Sequence, residues 1–593
     1  MRVPDGRDRA ALPGPLARVD RLPAFLVGIT IVALLARVLF LDLRIAHWDE
    51  GRVAYDILRY VATDSWRYRP IVHGPFLVHV NRVVFGAVGA TDATMRLVVA
   101  AIGGLLPLTA WLFREHLEEL EVAALALLLA IEPVLLYYSR FMRNDVLVAG
   151  FAFAALGLYV RLSDTGKHRY LYAGTFLLAL AFTTKENAIL YPITVLGGLA
   201  LLLDHRLFLA RGDGPRWQAV LKAHVSRTVR GLWRLKLPLA IAAVEFTVIF
   251  VFFYAPREAA TGGLGLWQAI ANPSQLPDLV AAATYNPEPC STPGPSTPSR
   301  YCSGALEDAY NSWFSGGMQD HAYLPYLGSF LKVLGFASGG LALLAVVGFL
   351  RDRYGGERPR DLIALGFYMG VAALLGYPIA VDIQAAWTLT NVVIPLAIPA
   401  AAGIALFVGW GRDALEDDDR VSVVLAALVL VVLVGQLPVV AVQTSFLAPQ
   451  DRGNVMVQYA QPEGDMRPAL EAVHRAARDT AGTDVVWYGA HFYVAQESSA
   501  DTLPAGGNWY NRLPMPWYLE RYNATVDSVD NATVMRERVA AERPPVVLVR
   551  GQDADDLQGA MDGYRRYEYG FRQPAHGNQQ TLVFFVEDVY ATG

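Results

Sequence analysis

The chain has 593 residues, 54% of them hydrophobic and only 18% charged, with a formal net charge of −5 and 2 cysteines. That balance excludes an intrinsically disordered chain, which is poor in apolar residues, and a disulfide-built scaffold. It also excludes a general nucleic-acid-binding protein, and the mean hydropathy of +0.30 leaves either evenly spread apolar residues or a very apolar part averaged with a polar one.

The order of the residues decides for the second. A helix crossing about 30 Å of hydrocarbon needs about 20 mainly apolar residues. In chain order such stretches lie near 23–43, 95–113, 121–138, 146–162, 169–184, 187–204, 237–254, 326–350, 361–381, 388–410 and 421–441. The expected fold class is therefore mainly α: a polytopic membrane domain of about 11 transmembrane helices over 23–441, with a soluble α/β domain at 442–593. No small-residue cleavage site follows the first stretch, which predicts a retained signal anchor. With residues 1–22 (Arg2, Arg7, Arg9, Arg18, Arg21) cytoplasmic, alternation puts the basic segments 205–236 and 351–360 on the same side. External loops then fall at about 44–94, 139–145 and 255–325, and the odd count places the C-terminal domain outside the cell membrane.

The polar residues that carry information stand at the outer ends of the first six spans. The first is followed by His47-Trp48-Asp49-Glu50-Gly51 and then Tyr55 and Asp56. Next come His73-Gly74-Pro75 and an apolar run over 75–89, predicted to lie along the membrane surface as an amphipathic helix. The third and fourth spans are joined by Tyr138-Ser139-Arg140-Phe141-Met142-Arg143-Asn144-Asp145, the fifth and sixth by Thr184-Lys185-Glu186-Asn187. Charges at span ends are costly to desolvate and are usually functional where they face a cavity. Arg44, Arg52 and Arg59 read as interfacial anchors, whereas Asp49, Glu50 and Asp145 gain nothing from an anionic lipid surface and read as functional.

Cys290 and Cys302 bound a Ser/Pro-rich segment of the 255–325 loop and can form a disulfide if that loop is outside. In the tail, 485–490, 546–550 and 581–586 read as buried strands, and 465–480 and 553–567 as helices. The tail holds 20 acids and 13 arginines with no lysine, so −7 of the charge lies there and about +2 in the membrane part. Asn523 and Asn531 head glycosylation sequons. Trp509-Tyr510-Asn511 and Pro516-Trp517-Tyr518 are aromatic clusters suited either to stacking on sugar rings or to anchoring at the membrane interface. No P-loop, HExxH, GxSxG or cysteine metal spacing occurs.

The ordered set Trp48-Asp49-Glu50-Gly51, His73-Gly74-Pro75, 138–145 and 184–188 resembles lipid-linked-sugar glycosyltransferases of the GT-C fold. It looks most like the protein O-mannosyltransferase and aminoarabinose-transferase branch, family 39. Closer still are archaeal flippase-activity-associated membrane proteins of surface N-glycosylation. The likeness is clearest over 20–205, and the WWDYG-type signature of oligosaccharyltransferases is missing. The resemblance implies transfer of a sugar from a polyprenyl-phosphate carrier, such as dolichyl phosphate, to a glycan, lipid or protein acceptor at the outer face. It implies Asp49 as base or metal ligand with Glu50 as its partner, and Asp145 orienting acceptor or metal. It further implies Arg140, Arg143 and Lys185 on the phosphate, and His73 positioning the donor. One Mg²⁺ or Mn²⁺ bridging Asp49 and Asp145 to the phosphate is compatible with this chemistry. The alternative is a lipid-linked-oligosaccharide flippase, or an accessory to one, without transfer.

Overall fold

The computed structural model describes residues 21–70, 73–211, 216–285, 304–314, 322–355, 359–381, 383–457, 460–479, 482–497, 507–572 and 580–591. Cys290 and Cys302 lie outside them. Among the described residues nine helices are long and apolar enough to cross a membrane. A tenth is a bent pair, Glu119–Ile131 and Pro133–Ser139, turning by 48°. The protein is a multi-pass membrane protein. The eleventh stretch of the sequence reading is the helix His168–Thr184, whose 17 residues stand at the short end of the range that crosses a bilayer.

The helices that build the outer mouth are α1 (Arg21–Val38), α2 (Trp48–Thr63), α3 (Phe76–Val88), α4 (Asp92–Leu105), α5 (Glu119–Ile131), α6 (Pro133–Ser139), α7 (Asp145–Thr165) and α8 (His168–Thr184). A helix does form in the 75–89 run, α3, which buries Phe76, Leu77, Val78 and Phe85 and leaves Val83 and Val88 exposed. The α5–α6 bend follows from Pro133, which has no N–H to give and crowds the preceding turn. The carbonyls freed by such a break need donors, because hydrocarbon offers no water. Arg37 of α1 supplies them, reaching Leu129 O at 3.1 Å and Ala130 O at 2.9 Å. Glu132 caps α6, accepting from Leu135 N at 2.7 Å and from the Ser338 hydroxyl. Two buried polar side chains, Arg37 on α1 and Glu132 at the break, thus serve it.

The tail forms a five-stranded sheet of order β2-β1-β3-β5-β4, from β1 (Val485–Tyr488), β2 (Val526–Val529), β3 (Val546–Arg550), β4 (Tyr564–Arg572) and β5 (Gln580–Glu587). β1 pairs parallel with β2 and β3, while β5 runs antiparallel to β3 and β4. The three strands expected from sequence are the three central ones, apolar on both faces. Residues 553–567, expected as a helix, are instead a 3₁₀ segment, Gly551–Ala560, followed by the first residues of β4.

This domain docks on α2 and α4. Trp517 Nε1 and the Tyr518 hydroxyl each donate to the Asp92 carboxylate at 2.8 Å, and Arg521 pairs with it at 3.0 Å. Ala46 N donates to Tyr518 Oη at 2.8 Å, Arg59 pairs with Glu520 at 2.9 Å, and Trp509 packs on Tyr55 with ring centres 4.8 Å apart. Trp517 and Tyr518 are buried between the domains, so that cluster anchors domain to domain and not domain to lipid. The seam closes over Gly51, where an added Cβ would lie 2.6 Å from Pro514 Cβ and 2.7 Å from its Cα. Gly51→Ala is therefore expected to loosen the docking by about 1–3 kcal/mol, as overpacking does. Limited proteolysis should then release the tail faster than from the parent protein; equal rates would show that the seam gives way without cost.

Candidate active site

The site starts from a helix cap. His47 caps α2, its Nδ1 accepting from Asp49 N at 3.1 Å, while Glu50 reaches back to accept from His47 N at 2.9 Å. This reciprocal capping box satisfies two N–H groups that the helix cannot, and places carboxylates at the positive end of the helix. Neighbouring positions on a helix point about 100° apart. Asp49 and Glu50 therefore have different fates.

Glu50 turns inward and is saturated. Arg44 donates to its two oxygens at 2.9 and 3.1 Å, Arg96 of α4 does so at 2.9 and 2.9 Å, and Met142 N adds a bond at 2.8 Å. Its side chain is fully buried. Burial raises its carboxyl, but Arg44 and Arg96 outweigh that and hold it well below the usual carboxylate range. The expected catalytic role is corrected to a scaffold one: six hydrogen bonds fix the first loop, α4 and the 140–145 loop to one another. Arg44, read as a lipid anchor, is part of that scaffold.

Asp49 faces the opening, and its partner is Arg143. Arg143 Nε also lies 3.4 Å from Asp145 Oδ2, and Asp145 Oδ1 accepts from Lys185 Nζ at 2.7 Å. An alternating chain of charges, Asp49–Arg143–Asp145–Lys185, so links three loops. Side-chain exposure is 18% for Asp49 against 5% for Arg143, 2% for Asp145 and 3% for Lys185, making Asp49 the open end. Burial pushes the Asp49 carboxyl up, yet the Arg143 guanidinium beside it holds it well below its ordinary value.

His73 stands beside this chain, with Asn144 Nδ2 at 3.4 Å from its Nδ1. Burial pushes it down to about 3 despite Asp49, with Arg143 and Lys185 adding to the effect, so it is a neutral imidazole. Its loop is pinned by Gly74, whose N–H donates to Thr184 O at 2.9 Å and which has no room for a Cβ against Thr183. Arg140 is not at the phosphate position expected of it. Its guanidinium covers the end of α1, donating to Ala36 O, Arg37 O, Leu39 O and Phe40 O at 3.1, 3.1, 2.6 and 2.5 Å. A divalent cation between Asp49 and Asp145 does not fit this arrangement either. Arg143 fills the space between the two carboxylates, and among the described residues no three His, Cys, Asp or Glu converge.

Several residues at the site escape the sequence reading. Trp387, in the 3₁₀ segment Ala386–Leu389, lies under the Arg143 guanidinium, 3.5 Å from ring centre to Cζ. Nothing in its local sequence announces this; Arg96, which the sequence reading also missed, could have been found as a cation within an apolar run. Asp56, named in the sequence reading but given no role there, lies two turns beyond Asp49 on the same face of α2 and has a buried Oδ1 with no hydrogen-bond partner among the described residues. Burial pushes its carboxyl up to about 7 against the pull of Arg69 and Arg52. The folded state thus holds a proton there that the unfolded chain releases near its ordinary value of 3.8. Stability contributed by that proton is complete at acid pH and is lost as pH rises through about 7. The thermal midpoint of the detergent-solubilised protein should fall on going from roughly pH 5 to pH 8, and Asp56→Asn should flatten that slope. Parallel slopes in the two proteins would refute it.

Residues 72–213 match the family model described as dolichyl-phosphate-mannose-protein mannosyltransferase, and 466–587 match that of the Agl23 flippase-associated protein C-terminal domain. No curated protein matches the chain by sequence. ArnT from Cupriavidus metallidurans, solved bound to undecaprenyl phosphate, aligns over 95% of this chain and 98% of its own, with 17% identity and a TM-score of 0.51. The fold is GT-C. An oligosaccharyltransferase from Archaeoglobus fulgidus, tethered to an acceptor peptide, aligns over 92% of this chain and 72% of its own at 13% identity and a TM-score of 0.48. The first family match contains His73, Arg143, Asp145 and Lys185, so most of the charge chain falls inside the segment that this model matches. The second begins one residue before the helix Arg467–Asp479 and ends on the last residue of β5, delimiting the folded tail.

Proposed function

We propose that the protein transfers a sugar from a polyprenyl-phosphate-linked donor to an acceptor hydroxyl or amide at the outer face of the membrane. The observation that carries this reading is the charge chain Asp49–Arg143–Asp145–Lys185 with Asp49 as its open end. Polyprenyl phosphate is a good leaving group, so the demands are a base for the acceptor and cations for the departing phosphate. The acceptor attacks the anomeric carbon, the bond from that carbon to the phosphate oxygen breaks, and Asp49 takes the acceptor's proton. Arg143 and Lys185 hold the phosphate, which leaves with both electrons of the broken bond. At rest the chain is neutral and Asp49 is locked to Arg143. A donor phosphate competes for Arg143 through charge-assisted bonds, and its arrival frees Asp49 to act. The match to a mannosyltransferase family and the fold shared with a protein solved on undecaprenyl phosphate support the donor class. The N-terminus is assigned to the cytoplasm and the tail to the outside, where the sequons at Asn523 and Asn531 are exposed.

The test is direct. Membranes containing the protein should move labelled hexose from dolichyl-phosphate-hexose into acceptor material, and membranes lacking it should not. The second reading, a flippase-associated role, draws on the match of 466–587. It predicts that a deletion strain accumulates carrier on the inner face, whereas loss of a transferase leaves flipped, unused donor on the outer face.

A further inference from the structure

Beyond Lys185 the chain leaves the outer mouth along α9 (Leu190–Arg211) and comes back along α11 (Lys236–Tyr254). The 22 residues of α9 make about 33 Å of helix at 1.5 Å per residue, enough to reach the membrane face opposite the charge chain. The return ends at the mouth again, where the Tyr254 hydroxyl donates to Phe182 O at 3.0 Å. On the far face lies α10 (Arg216–Arg234), joined to α9 through 212–215 and to α11 through Leu235. Tethered to a span at each end, α10 is held at the membrane surface. None of its described side chains is buried, so it shares no core with the rest of the protein.

Its residues sort by face. Trp217, Leu221, Val225, Val229 and Leu232 recur every three or four positions and so form one stripe. Val225, Val229 and Leu232 are each more than half exposed. Arg227, Arg230 and Arg234, also three and four apart, stand exposed on the opposite side of the helix. No Asp or Glu occurs over 216–234, so nothing within the helix compensates its cations.

We propose that α10 lies in the lipid surface opposite the charge chain, its apolar stripe among the acyl chains, and that Arg227, Arg230 and Arg234 bind anionic phospholipid headgroups. An exposed apolar stripe backed by uncompensated arginines needs hydrocarbon and anions within one helix diameter, and a bilayer surface supplies both. An acidic protein surface would offer the anions, but the two flanking spans already hold this helix against hydrocarbon. Trp217 and Trp233 stand near its two ends, and indoles settle at headgroup depth. A row of arginines without a carboxylate among them favours headgroups of net negative charge over zwitterionic ones, whose ammonium it repels. In the orientation assigned above, this is the cytoplasmic leaflet. The inference needs only that α9 and α11 are spans, so it stands whether or not the protein transfers sugar.

Native mass spectrometry reads the lipids retained by the full chain purified in detergent with equal amounts of dioleoylphosphatidylglycerol and dioleoylphosphatidylcholine. Retention should favour the phosphatidylglycerol. The triple variant Arg227→Gln, Arg230→Gln, Arg234→Gln should lose at least about fivefold of that preference, the share of a single cation at an anionic surface. Lysine at the same three positions should keep it. Since α10 lends nothing to the core, both variants should elute on size-exclusion chromatography as the parent does. In nanodiscs, the amides of 217–234 should exchange hydrogen more slowly with phosphatidylglycerol present than with phosphatidylcholine alone. The absence of any preference in the parent protein overturns the proposal. So does an undiminished preference in the glutamine variant, which would place the anionic lipid elsewhere on the protein. A lysine variant that behaves like the glutamine one, or equal exchange in the two nanodiscs, overturns it as well.

Discussion

Asp49→Asn is expected to lower sugar transfer by about 10²–10⁴-fold while the protein accumulates and folds normally. The substitution keeps the shape of the side chain and removes its ability to take a proton. The fold does not depend on the charge, because Arg143 retains Asp145 and the Trp387 ring, and Asp49 is the open end of the chain. The kinetic signature separates this from a binding defect. With Asn in place Arg143 no longer has to leave a carboxylate to meet the donor phosphate, so KM for the donor should stay level or fall while kcat collapses. Asp145→Asn should do the reverse in part. It releases Arg143 and Lys185 together, and its loss should show as a raised donor KM as well as a lower kcat. Normal turnover in Asp49→Asn membranes would remove the base from the mechanism, and with it the transferase reading of this site.

What the sequence makes legible depends on how local the physics is. Apolar runs of about 20 residues identify the spans without any knowledge of their neighbours, and the continuous apolar strands β1, β3 and β5 stand out for the same reason. His168–Thr184 is the least distinct of the spans because its first turn, His168-Arg169-Tyr170, is polar. The edge strands lack that signal: β2, Val526–Val529, is four residues with Asp527 and Ser528 at its centre, and β4, Tyr564–Arg572, is half-exposed and interleaves Tyr and Phe with charged residues. At the site, composition correctly marks the loops that meet, since Asp49, His73, Arg143, Asp145 and Lys185 come together from three of them. It does not tell which of two adjacent acids faces the cavity, and that is a matter of helix phase. Asp49 and Glu50 are one residue apart, yet one pairs at the opening and the other is enclosed by Arg44, Arg96 and two backbone N–H groups. Arg140 is similar: a cation beside the site, but its reach is fixed by the open end of α1, a partner some hundred residues away in sequence.

Glu50→Gln is the substitution that tests this division of labour from the other side. A carboxylate accepting six hydrogen bonds becomes an amide with one acceptor oxygen, and its NH₂ is pressed against guanidinium and backbone donors that offer it nothing in return. Arg96, fully buried, then keeps its charge without the partner that compensated it. Breaking a buried pair by removing one member costs about 3–5 kcal/mol, a large share of the stability of an ordinary folded domain. The expected result is a protein that fails to accumulate in membranes or elutes as aggregate on size-exclusion chromatography, with transfer lost in proportion to folded protein. A Glu50→Gln protein present at full level, well folded and selectively inactive would instead return Glu50 to the catalytic chemistry. The double variant Glu50→Gln, Arg96→Met sharpens the result. If the damage in the single variant comes from the stranded guanidinium, removing that charge should recover part of the folded protein although one more native bond donor is gone. A catalytic role for Glu50 predicts no such recovery of folded protein, because none would have been lost.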